Sequence, residues 1–158
     1  FILRIPIPAM VGRPFIHFGN TLAALAILFL GPRNGIIAGI IGLGGFDVLN
    51  GYALTSWLTV LEVIVVGLTI EAVFKYLHHN DSKRNIIIVA ITAGAMKIIT
   101  SYCTSIIESL MVGTVFKTAI VASFLSLPAT VINSISTAIC VPILYFLLRK
   151  AFAAVNKD

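Results

Sequence analysis

Charge is what this chain has least of. Acidic and basic residues make up 11% of its 158 residues and hydrophobic residues 59%, against about 25% and 45–50% in a soluble domain. With a mean hydropathy of +1.06, that composition excludes an ordinary water-soluble globule and places the chain in lipid. The alternating apolar and polar period of a barrel strand is nowhere sustained, so helices are the spanning elements and the fold class is all-α integral membrane. The two cysteines, Cys103 and Cys140, sit in apolar runs, which argues against a disulfide framework and for packing thiols. Also missing are a His-Glu-x-x-His metal motif, a Gly-x-Ser-x-Gly elbow and a Gly-x-x-x-x-Gly-Lys-Ser/Thr phosphate loop. The chain is therefore expected to be no enzyme, to hold no cofactor or metal, and to have no ATPase site of its own. Its net charge of +5 comes from basic residues that flank apolar runs, a topology signal rather than a nucleic-acid surface.

What is present reads as one transmembrane domain over residues 1–158. Phe1-Ile2-Leu3-Arg4, with no initiator Met, basic n-region or cleavage site, is expected to be the tail of a helix whose body lies upstream. Pro6, Pro8 and Pro14 forbid a helix over residues 5–15 and favour an extended loop. Apolar runs then predict helices over residues 16–30, 35–49, 56–77, 86–111 and 118–149. Gly31-Pro32 stops the first of these, Asn34 caps the next, Asn50-Gly51 ends it, and Pro128 kinks the last. With the upstream helix the count is six. The run over 16–30 reaches only about 22 Å, short for a bilayer core of about 30 Å. Gly35, Gly39 and Gly42 recur on one face and permit close backbone approach. Arg33, Lys75, Lys83, Arg84, Arg149, Lys150 and Lys157 gather on one side, which the positive-inside rule makes cytoplasmic.

The few polar residues inside the spans are patterned. Lys97, Ser101, Thr104 and Glu108 stand at i, i+4, i+7 and i+11, one stripe on one helical face. Ser126, Thr130, Asn133 and Thr137 repeat the device, and Thr55, Thr59 and Glu62 do so more briefly. A mid-span ammonium costs several kcal/mol, on the order of 3, so Lys97 needs Glu62, Glu108 or a ligand anion. Asp47 and Asn50 end the helix over 35–49 on the outer side, and the implied cavity opens outward. His17 and Asn20 suit either ligand contact or local capping, while Tyr52 and Trp57 suit either an interfacial belt or stacking on a ligand ring. Glu71 and Lys75 are spaced for an i,i+4 pair, and His78 and His79 fall in a basic, solvated loop.

The segment His17-Phe18-Gly19-Asn20-Thr21, leading through Leu30-Gly31-Pro32-Arg33-Asn34-Gly35 to Gly45-Phe46-Asp47-Val48-Leu49-Asn50-Gly51, resembles the substrate-binding S components of energy-coupling-factor (ECF) vitamin transporters. The resemblance implies a six-helix bundle in a prokaryotic plasma membrane, with helix 1 largely missing from these residues. It implies a vitamin or precursor held near the external face beneath the loop over residues 5–15. It further implies assembly with a transmembrane coupling subunit and two ABC-type ATPases, and delivery by toppling of the whole subunit. The small residues of helix 1 that contact the coupling subunit in that family have no counterpart here to compare. The expected solute is a small aromatic heterocycle, hydroxymethylpyrimidine or pyridoxine, with riboflavin as the alternative. Glu62, Glu108 or Asp47 would bind an amino or ring nitrogen. Tyr52, Trp57 or Tyr102 would stack, and Asn20, Asn50, Thr104 and Asn133 would hydrogen-bond. A self-contained proton-coupled carrier, with Lys97 and a carboxylate as relay, is the competing class; such carriers often show internal repeats, and none is found.

Overall fold

The computed structural model describes the backbone of residues 4–6 and 15–155 and the side chains of residues 18–153. Two three-residue strands, β1 (Arg4–Pro6) and β2 (Phe15–His17), pair antiparallel with Ile5 opposite Ile16. The segment expected to be merely extended therefore folds back on itself at its two ends. The expected lid falls largely on residues 7–14, outside the described residues, and the same holds for Lys157.

Beyond the ribbon, all regular structure among the described residues is helical: α1 (Gly19–Gly39), a π-helical turn (Ile40–Gly44), α2 (Gly45–Leu49), α3 (Ser56–Tyr76), α4 (Lys83–Met111) and α5 (Phe116–Val155). Helices are what a chain in lipid must form, because each satisfies its own backbone donors and acceptors. Four helical stretches among the described residues are long and apolar enough to cross a membrane, the first being the continuous run Gly19–Leu49. The chain is an all-α membrane protein, and the count expected from the sequence, six, is not met by these four.

The first stretch is not a straight rod. Gly31 takes φ 79°, ψ 170°, a region essentially closed to side chains, and Pro32 follows where its missing N–H costs a helix start nothing. A Cβ on Gly35 would run into Ile27 Cα, and one on Gly39 would fall 3.3 Å from Ala23 Cβ. A straight helix would hold those pairs about 12 and 24 Å apart. The two arms, residues 19–30 and 32–49, thus run antiparallel against each other, and Gly35 lets their backbones touch. The break lies where Gly31-Pro32 predicted it, but the second arm begins at the proline instead of at an Asn34 cap. Four stretches with the first folded in two give five packed rods.

Packing is densest toward the basic end. Leu25, Ile27, Ile70, Ile86, Val89, Ala90 and Val141 form a buried core there, with Tyr145 stacked on Phe29 at 4.8 Å. At that end α4 starts on a Ser82 cap whose hydroxyl accepts from Asn85 N at 3.4 Å. Asp81 receives Arg149 Nη1 at 2.8 Å and Tyr145 Oη at 3.3 Å, tying the α3–α4 loop to α5. Glu71 meets His79 Nε2 at 3.2 Å rather than Lys75, because the loop turns back over the end of α3 through positive φ at His78 and His79. Pro128 and Pro142 both lie inside α5. Cys140 is half-buried, whereas Cys103 is exposed, so only the former packs as expected.

Candidate functional site

The other half of the bundle is built around one carboxylate. Glu62, in the second turn of α3, is buried among helices that offer it three donors from a single face of α4. Lys97 Nζ lies 2.5 Å from Oε2, and the hydroxyls of Thr100 and Ser101 each lie 2.7 Å from Oε1. Positions i, i+3 and i+4 of a helix share a face, which is why α4 can deliver all three. The Thr100 hydroxyl also lies 3.1 Å from Met96 O and 3.2 Å from Lys97 O. Having one proton, it donates best to the charged acceptor. The side chains of Glu62 and Lys97 are 9% and 21% exposed, so the pair neutralises itself at mid-depth where a lone charge would be costly.

Above this network an open cavity of about 300 Å³ rises away from the basic end. Its floor is Glu62, Lys97 and Ser101; Thr130 and Asn133 of α5 form one wall, and Asn20 of α1 closes another side. Asp47 and Phe46 reach it from α2, beyond the π-helical turn, and the hydroxyl of Thr59 donates to Asp47 Oδ2. A π turn adds a residue to the helical repeat and re-aims the side chains beyond it, so Ile40–Gly44 sets the direction in which Phe46 and Asp47 project. Asn133 Nδ2 donates to Ala129 O at 3.1 Å. Below the floor a narrower slot of about 30 Å³ continues between α1, α3 and α4, lined chiefly by aliphatic side chains and sharing Asn20, Leu43, Glu62 and Lys97 with the cavity.

Of the residues singled out from the sequence, Asn20, Asp47, Glu62, Lys97 and Asn133 converge on this cavity. So do Thr59, Ser101 and Thr130 of the polar stripes, whereas Asn50, Tyr52, Trp57, Tyr102, Thr104 and Glu108 do not line it. Asn50 turns its amide back to Phe46 O at 2.7 Å, closing the end of α2. Tyr52 and Trp57 are 58% and 46% exposed on the outer rim. Tyr102 Oη reaches toward Ile120 O at 3.5 Å, and Thr104 bonds Ser101 O at 3.1 Å. Glu108 is exposed at the outer end of α4, facing Thr55 with Asp47 and Glu62 as like-charged neighbours. The His17 side chain lies outside the described residues. Among the described residues the aromatic residue that lines the cavity is Phe46, and Thr100 is the further member of the carboxylate network; neither stood out in the sequence, because Phe46 carries no polar signal and Thr100 lies beside the i, i+4, i+7 stripe. Among the described residues no group of three or more His, Cys, Asp or Glu could hold a metal.

A buried, self-neutralised ion pair thus lies under a polar vestibule in a helical bundle. A family model described as the S component of ECF-type riboflavin transporters matches residues 1–150. The chain belongs to that family. As an ECF S component it is a vitamin-capture subunit of a transporter and a multi-pass membrane protein, with no ATPase site of its own. No curated protein and no solved structure matches it.

Proposed function

We propose that this S component captures riboflavin from the outer side of a prokaryotic cell membrane and hands it inward when coupled to a transmembrane subunit and two ABC-type ATPases. The observation that carries the proposal is the family match over residues 1–150, whose description names riboflavin in place of the smaller pyrimidine or pyridine ring. The chemistry of the cavity supports it. Riboflavin is neutral, with an imide edge that alternates acceptor, donor and acceptor and a side chain of hydroxyls. Donors at Lys97, Thr130 and Asn20, acceptors at Asp47 and Asn133, and Phe46 suit such a solute. A volume of about 300 Å³ is at the lower end of small-molecule sites.

Glu62 keeps two hydroxyl donors when Lys97 turns toward a ligand carbonyl, so the ammonium can be lent to the solute without stranding the carboxylate. The family's six-helix architecture and toppling movement belong to the same proposal. Five packed rods support the first. For the second, the perimeter at mid-depth is apolar: Leu61, Val65, Leu68, Ile91, Ile99, Ile132 and Ile139 are exposed, while exposed charges sit at helix ends. Such a perimeter can rotate in lipid without dragging charge through it. The test is titration of the full-length protein in detergent with riboflavin, whose fluorescence falls on stacking and burial. Saturable quenching that pyridoxine and hydroxymethylpyrimidine fail to reverse is expected. No quenching, or displacement by either small ring at equal concentration, refutes the reading.

A further inference from the structure

The slot beneath the Glu62–Lys97 floor has no use in a site that ends at that floor. It has room for about two water-sized groups, at about 30 Å³. Its walls are Ala23, Ile27, Leu43, Val66, Ile70 and Ala93, all aliphatic. Thr137, which also reaches it, accepts from the Thr21 hydroxyl at 3.4 Å. Over most of its wall a water would meet aliphatic side chains and gain few hydrogen bonds. The slot adjoins the vestibule, with Asn20, Leu43, Glu62 and Lys97 lining both.

We infer that the slot is a specificity subsite that receives the dimethylbenzene edge of riboflavin, so that the ring enters methyl end first with its imide edge toward the mouth. This rests on the riboflavin reading above. The two ends of the tricyclic ring differ sharply in chemistry. Placing the imide end in the slot would leave two carbonyls and an N–H facing aliphatic side chains, with their hydrogen bonds unmade. Placing the methyl end there covers apolar surface with apolar surface and fills the void. The imide edge then lies at the level of Asp47, Thr59 and Asn133, where partners exist. Lys97, at the rim of both spaces, acts at the middle of the ligand.

The test compares riboflavin with its analogue lacking both ring methyl groups, titrated against the full-length protein in detergent. Each buried methyl contributes about fourfold in affinity, so the analogue is expected to bind roughly tenfold more weakly or worse. Filling the slot with Ala93→Val should weaken riboflavin by a similar factor, leave the analogue nearly unchanged, and so close the gap. Val66→Leu, at a half-buried wall position, provides the same comparison should the first variant fail to fold. Riboflavin binding with no preference over the analogue would overturn the subsite while leaving the riboflavin reading intact, and so would a preference that neither variant changes. Failure of riboflavin itself to bind would overturn both.

Discussion

Removing Glu62 should harm the protein more than removing the lysine that pairs with it. The asymmetry follows from the donors: Glu62 has Lys97, Thr100 and Ser101, while Lys97 has Glu62 as its one ion-pair partner among the described residues. Glu62→Ala strands an ammonium at mid-depth, and breaking a sheltered pair in this way costs about 3–5 kcal/mol. For a chain of this size that is about 6–20 °C in Tm. Lys97→Met keeps the length of the stem and leaves the carboxylate two hydroxyl donors, so the loss is about 1–2 kcal/mol, roughly one charge-assisted hydrogen bond. The double variant Glu62→Ala/Lys97→Met should be more stable than Glu62→Ala alone, because the orphaned charge is gone. Thermal unfolding of the four proteins in one detergent measures this. Equal losses for the two single variants, or a double variant that falls by their sum, would refute the reasoning.

Gly35→Ala drives a Cβ into Ile27 Cα, backbone that has nowhere to go; a loss of at least about 3 kcal/mol is expected, read as absence of a monodisperse species on size-exclusion chromatography. Thr59→Val frees Asp47 from the hydroxyl that holds it and should weaken riboflavin about tenfold, the worth of one hydrogen bond to a charged group, with Tm little changed. Arg149→Ala removes a half-exposed partner of Asp81 and should cost no more than about 1 kcal/mol in thermal unfolding.

The spans were legible because composition in lipid leaves few choices: the helix over 56–77 was found as Ser56–Tyr76 and that over 86–111 as Lys83–Met111. Gly31-Pro32 announced the reversal within the first stretch. The π-helical turn carried no such signal, since Ile40–Gly44 has the composition of any packed apolar helix. In the site, the need of Lys97 for an anionic partner was legible from its depth, with Glu62, Glu108 and a ligand anion all open, and Glu62 is the one that pairs with it. The stripe on α4 gave direction but not depth. Glu108 shares the face of Lys97 yet stands eleven residues on, about 16 Å along the axis, beyond the cavity. Tyr52, Trp57 and Tyr102 were drawn in by ring chemistry, but two sit exposed on the rim and the third points toward Ile120. The ring that does line the cavity, Phe46, is placed by the helix irregularity that the sequence does not advertise.

Capture of riboflavin is tested most directly by native mass spectrometry of the full-length protein purified in mild detergent from cells grown in rich medium, with identification of the molecule it carries. A single copy of riboflavin per chain is the expected result. Pyridoxine, hydroxymethylpyrimidine or another solute in its place, or an empty protein that also ignores added riboflavin, would contradict it.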